Sequence, residues 1–213
     1  MKGVPVIRPI RVTDEAGLQQ FVRNLSPASR YPGFMIAIRE LPEDMLDRFV
    51  HPEQGREVVL VVSSPDGDII GLAQYVADES GDGCEVAIVV ADAWHRMGLG
   101  TDLLAALISF AQRNGIARVH ADVLADNYAM LTLARKLGCE ARINRRVPYL
   151  VPITRGLESP RVAMHAPAVE IMGSRIPRNA QSLTPTLSQK QRARIDVIHR
   201  CELGKNYRLE PTT

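Results

Sequence analysis

The chain has 213 residues, 46% of them hydrophobic, and a formal net charge of +2 from 26 Lys and Arg against 24 Asp and Glu. That length and apolar content suit one globular domain with an extension and exclude a fibrous or wholly disordered chain. The near-neutral balance gives no footing for specific nucleic-acid binding, no apolar run approaches a membrane span, and three cysteines (Cys84, Cys139, Cys201) are an odd number without metal-type spacing.

Met1-Lys2-Gly3-Val4-Pro5 has no apolar core of a secretion signal, so the expectation is a cytoplasmic protein with free thiols and no membrane partner. Val6 to Arg11 alternates as a strand, with Pro9 marking an edge. Thr13-Asp14-Glu15 opens a helix with a capping threonine, and Ala16 or Leu18, then Phe21, Val22 and Leu25, form its apolar stripe. Ser26-Pro27 ends it. Arg30-Tyr31-Pro32-Gly33 reads as a turn, and Phe34 to Ile38 is apolar and fits either helix or strand. Pro42 starts another helix that ends by His51-Pro52.

From Glu57 the pattern is β. Glu57 to Ser63 and Asp68 to Ala77 are the arms of a hairpin around Ser64-Pro65-Asp66-Gly67. Asp78 to Gly83 is a polar loop. Ala117 to Val123 is a strand with polar Arg118, His120 and Asp122 alternating. Met130, Leu133, Ala134 and Leu137 give a helix, and Gly138 is its natural end. Short strands are expected near Glu140–Arg145 and Tyr149–Thr154.

Charge separates the chain in two. Residues 1–154 hold 16 basic and 19 acidic side chains, net −3, whereas residues 155–213 hold 10 and 5, net +5. The second part is rich in Arg, Ser, Pro and Thr and loses periodicity. It is expected to be a basic, flexible C-terminal extension with one short helix over Gln189–Leu203.

The most informative stretch is Cys84 to Leu104. Val86 to Val90 is an apolar β-branched run, and from Thr101 the residues Leu103, Leu104, Leu107, Ile108 and Ala111 recur at helical spacing. Gly98 and Gly100 lie between. Strand, glycine turn and helix aim bare backbone N–H groups at an anion. No Gly-Lys-Ser/Thr follows, and the third glycine position of a dinucleotide fingerprint is Leu103, so neither nucleotide motif is present. An ordinary strand-to-helix turn stays open on this pattern alone.

The same stretch resembles motif A of the GNAT superfamily of acyl-CoA N-acyltransferases, Gln/Arg-x-x-Gly-x-Gly/Ala, with His95, Gly98 and Gly100 at the matching positions. Asn127 to Cys139 is similar to the Asn…Leu-Gly-Phe segment that closes the GNAT core. Leu25-Ser-Pro-Ala-Ser-Arg-Tyr31, Glu85 to Trp94 and Met130 to Gly138 look like the acetyltransferase domain of bacterial Pat-type protein lysine acetyltransferases, a likeness that covers about residues 5–150.

The resemblance implies an α/β (α+β) fold over residues 1–154: a mixed, mostly antiparallel sheet with two splayed parallel central strands and flanking helices. It implies acetyl-CoA as acyl donor and no metal. The pyrophosphate would sit on the backbone from Arg96 through Met97, Gly98, Leu99 and Gly100 to Thr101, with the His95 side chain beside it. The main chain of Ile88, Val89 and Val90 would pair with the pantetheine arm and supply an oxyanion donor. Asn127 matches a CoA contact and equally suits a plain helix cap. Glu85 matches the catalytic glutamate, a general base for an ammonium whose ordinary pKa is about 10.4. The tyrosine that serves many relatives as general acid is Ala134 here. The acceptor read from this likeness is a protein lysine. A small-molecule amine acetyltransferase and a non-catalytic acyl-CoA sensor remain as alternatives, and a monomer and a homodimer are both compatible.

Overall fold

The computed structural model describes residues 4–34, 38–142 and 147–157. In chain order these form β1 (Val6–Pro9), α1 (Glu15–Asn24), α2 (Pro27–Phe34), α3 (Glu43–Val50), β2 (Glu57–Ser63), β3 (Ile69–Ala77), β4 (Gly83–Val90), α4 (Leu99–Arg113), β5 (Arg118–Leu124), α5 (Tyr128–Lys136), β6 (Glu140–Ala141) and β7 (Leu150–Gly156). The strands make one sheet in the order β1-β2-β3-β4-β5-β7-β6. All neighbours are antiparallel except β4 and β5, which are parallel. This is the mixed sheet with a central parallel pair that the resemblance implied. The expected extension from residue 158 onward, its helix over Gln189–Leu203, and the part of the expected strand beyond Arg142 lie outside the described residues. No helix among the described residues is long and apolar enough to cross a membrane.

The sheet has a core on each face because its strands alternate. On one face, Leu103, Leu104 and Leu107 of α4 pack on Ala73, Tyr75, Cys84 and Val86. On the other, Leu18, Phe21 and Val22 of α1, Phe34 of α2 and Leu46 and Phe49 of α3 cover Val59, Val61, Leu72 and Val89. Each fully buried Leu or Val contributes about 1.5–3 kcal/mol relative to an exposed one. The helical face helices α1 to α3 therefore rest on the β1–β4 half of the sheet. The Tyr75 hydroxyl accepts a hydrogen bond from the Asn114 side chain at the end of α4.

Two local expectations are corrected. The capping threonine at the first helix is not used: Asp14 instead pairs with Arg8 through two contacts of 2.7 and 2.8 Å and accepts the Arg11 N–H at 2.7 Å. A short 3-10 turn, Val12–Asp14, then leads into α1. Arg30 to Gly33 is helix rather than turn, even with Pro32 inside it. Ser26 caps that helix, its Oγ accepting Ser29 N at 3.2 Å, while Asp92 braces Ser26 from outside by accepting its N–H; the helix lies so close to β4 that a Cβ on Gly33 would stand 2.8 Å from Val89 Cβ. The last strand also runs on to Gly156, and Leu157 is buried with its N–H bonded to Ala117 O at 2.7 Å.

Candidate functional site

The parallel ladder between β4 and β5 is short. It joins Gly83 to Arg118, Cys84 to Val119 and Glu85 to His120, and goes no further among the described residues. On its other side β4 stays paired with β3 all the way to Val90. From Val86 onward the β5-facing edge of β4 is therefore open, and a wedge begins at Glu85. Ile88, Val89 and Val90 line the wide end of that wedge on one continuous strand. An unpaired strand edge inside a sheet is a template for an extended ligand arm with alternating amides of its own.

The chain leaves β4 through a 3-10 turn, Asp92–Trp94, and returns as α4. Between them Arg96 has φ 61 and Gly98 has φ 91, both left-handed. For the arginine this conformation costs about 1 kcal/mol. The gain is a loop that leaves a run of amides without backbone partners among the described residues. The N–H groups of Arg96, Met97, Gly98, Leu99 and Gly100 take no backbone partner among the described residues, whereas Thr101 N and Asp102 N bond back to Gly98 O at 2.9 and 3.1 Å. Those five donors stand at the positive end of a 15-residue helix, and Met97 is largely exposed beside them. A Cβ at Gly98 would meet nothing within 4 Å, so the space over the loop is open. A Cβ at Gly100 would stand 2.9 Å from Leu133 Cδ1, so this residue's bareness seats α4 against α5.

His95 is exposed but tied to the strand it follows. Its Nε2 lies 2.9 Å from Val90 O, and since a carbonyl only accepts, Nε2 carries the proton. The imidazole thus staples the start of the loop to the end of β4. Asn127 caps α5, with Oδ1 accepting from Met130 N at 3.1 Å. Ala134, at the position of the relatives' tyrosine, is buried in the core. Among the described residues no group of three His, Cys, Asp or Glu could hold a metal ion.

Glu85 is half-buried and, by the strand's alternation, shares the face of Ala87 and Val89. It is the register partner of Val76 on β3 and His120 on β5. Sequence reasoning missed two features nearby. The Asp92 carboxylate accepts from Ser26 N at 2.9 Å, Ser26 Oγ at 2.6 Å and Ser29 Oγ at 2.7 Å, tying α2 to the loop. Asp78, just past β3, contacts His120 Nε2 at 3.0 Å and Arg118 Nη2 at 3.5 Å. The signal for the second was the polar alternation along β5, which marks a face without a hydrophobic cover.

This geometry offers an open strand edge for an extended arm, an amide cradle for a polyphosphate and a carboxylate at the wedge's apex. An acyl-CoA has the matching parts, so the residues present fit it. The comparisons with known proteins agree. The family model described as an acetyltransferase (GNAT) domain matches residues 6–140. Acetyltransferase PA5475 of Pseudomonas aeruginosa is 32% identical over 136 residues, 62% of this chain and 73% of that protein. The GNAT domain of S. lividans PAT has a TM-score of 0.67 at 27% identity, with 73% of this chain and 92% of that one covered. A GNAT superfamily phosphinothricin acetyltransferase from Sinorhizobium meliloti, solved in complex with AcCoA, has the same fold at 17% identity, a TM-score of 0.60 and coverage of 77% and 94%.

Proposed function

The chain belongs to the GNAT acetyltransferase family, and on that premise we propose that it transfers an acetyl group from acetyl-CoA to the side-chain amine of a protein lysine by direct attack, with Glu85 as general base. The observation that carries this reading is the end of the β4–β5 ladder at Glu85 and His120. It puts a carboxylate where the two strands begin to part, on the face that α1 to α3 leave uncovered toward β5.

The roles follow from position. Backbone N–H groups of Arg96 to Gly100 hold the pyrophosphate, and the edge of β4 at Ile88 to Val90 aligns the pantetheine arm. Bound there, acetyl-CoA supplies an activated acetyl thioester. The main-chain N–H of Val90, which the β3 ladder leaves facing the wedge, polarises the acyl oxygen, a fixed dipole that needs no reorganisation. Glu85 removes the proton that keeps a lysine ammonium unreactive, directly or through water. His95 acts on the loop's shape through Val90 O rather than as a phosphate ligand through Nε2. Asn127 fixes the start of α5 at the far wall.

The test is free-thiol release from acetyl-CoA by the wild type and Glu85→Gln, with a cell-extract protein fraction and with a panel of small amines. Release with the protein fraction, reduced about a hundredfold or more in the Gln variant while CoA affinity holds, is the expected result. Release with small amines alone would move the acceptor to that class. CoA binding without any release would leave the sensor reading.

A further inference from the structure

We propose that Asp78 and His120 form a proton relay that carries the acceptor's proton from Glu85 to solvent. The proposal rests on the reading of Glu85 as base. His120 is its Cα register partner across the last rung of the parallel ladder, so the two side chains leave the sheet on the same face. The Asp78 carboxylate lies 3.0 Å from His120 Nε2. A carboxylate accepts, so Nε2 carries the hydrogen and the Nδ1 lone pair of the neutral ring is left to take a proton. Asp78 holds the ring in that tautomer and orientation, as a carboxylate does behind any histidine base.

Glu85 is half-buried, the His120 side chain beside it is 32% exposed, Asp78 behind the ring is 16% exposed and Arg118 51%, so His120 itself is the member that meets water. The path therefore leads from the apex of the wedge to open water. The charged groups on His120's face among the described residues include Asp78 after β3, Glu85 on β4, Arg118 and Asp122 on β5 itself, and Glu140 on β6 beyond its neutral β7 partner Thr154, with Glu57 farther off on β2. The assembly is built rather than incidental. Asp78 sits over Gly83, where a Cβ would fall 2.3 Å from Asp78 Oδ2, and Asp78 N donates to Gly83 O at 2.9 Å.

The proton balance shows why an outlet is useful. An acceptor R–NH3+ gives one proton to Glu85 before attack. Its nitrogen then bonds to the acetyl carbon as the C–S bond breaks, and its second proton balances the departing thiolate. The sum is an amide, a thiol and one proton released to water. That released proton must leave Glu85 in every turnover, and His120 is placed to receive it.

The test uses the full chain, acetyl-CoA and the cell-extract protein fraction, and compares wild type, Glu85→Gln, Asp78→Asn and His120→Ala, the last with and without added imidazole. CoA affinity is measured for each. Expected are a loss of about tenfold to a hundredfold in thiol release for His120→Ala, a smaller loss for Asp78→Asn, unchanged CoA affinity, and recovery of His120→Ala alone as imidazole is added. A His120→Ala rate within twofold of wild type overturns the relay, and so does a loss that imidazole leaves untouched, because a structural role is not restored by a diffusible base. If Glu85→Gln itself keeps the wild-type rate, the reading of Glu85 as base fails, and the relay with it. A wild type that binds CoA and releases no thiol overturns both.

Discussion

Asp92 and Ser26 are 66 residues apart in sequence and joined by two hydrogen bonds, from Ser26 N at 2.9 Å and Ser26 Oγ at 2.6 Å. From the loop that leads to the amide cradle, the carboxylate thus braces Ser26, whose Oγ caps α2 by accepting Ser29 N at 3.2 Å. Helix α2 and the amide cradle are therefore parts of one structure. Burial pushes the Asp92 carboxyl up, but bonds from Ser26 and Ser29 and the nearby His95 more than offset this and hold it at about 2, below the ordinary 3.8.

Asp92→Asn should accordingly cost about 1 kcal/mol at neutral pH, the difference between a charged and a neutral acceptor, and lower the unfolding temperature by roughly 2–4 °C. The site is exposed, which keeps the effect small. A depressed carboxyl stabilises the fold above its unfolded value and loses that contribution as pH falls through its folded one. The gap between wild type and variant should hold from pH 7 to about 4 and close between about 4 and 2. Urea midpoints along that pH series measure it, and a gap that persists to pH 2 would rule out the charge as its source.

Gly98 and Gly100 should respond differently to alanine. At Gly98 the surrounding space is open and only the left-handed φ of 91 opposes a side chain, a cost of about 1 kcal/mol that Asn should reduce. At Gly100 the obstacle is Leu133 Cδ1 at 2.9 Å. In a double-mutant cycle with Leu133→Ala, Gly100→Ala should show coupling of about 0.5–3 kcal/mol, whereas Gly98→Ala should add within about 0.5. Equal coupling for both would mean that the loop, not the α4–α5 contact, carries the Gly100 effect.

The contrast between those glycines and the Asp92 clamp shows what the sequence could and could not reveal. The strand, glycine turn and helix from Cys84 to Ala111 were legible because their signals are local: β-branched residues, two glycines, then helical spacing. Glu85 was legible as a charged residue at the head of an apolar strand. Helix α2 was not, because Pro32 and Gly33 argue locally for a turn, and the supports that override them, Asp92 on Ser26 and Ser29 and the close packing of Gly33 on Val89, are distant in sequence. The Asp78–His120 contact spans 42 residues and exists only once β3 and β5 flank β4. Polar alternation on β5 announced an uncovered face without naming its partner.

Cys84 tests whether transfer is direct. It precedes Glu85, and a cysteine beside the proposed base invites the alternative that the chain first acetylates itself. The strand's alternation opposes this: Cys84 points into the core beneath α4, is 0% exposed, and lies on the face opposite Glu85. Burial first, and the charge of Asp78 second, push its thiol up to about 12. At pH 8 the thiolate fraction is then about one in ten thousand, far too little for a nucleophile. A maleimide should leave Cys84 unmodified in the folded chain and modify it fully in urea, as read by peptide mass mapping. The chain incubated with acetyl-CoA and no acceptor should carry no acetyl group at Cys84, and Cys84→Ala should keep thiol release within about threefold while losing about 1–2 kcal/mol of stability to the smaller side chain. Labelling of Cys84 in the native state, or an acetyl group found on it, would replace direct attack with a two-step transfer.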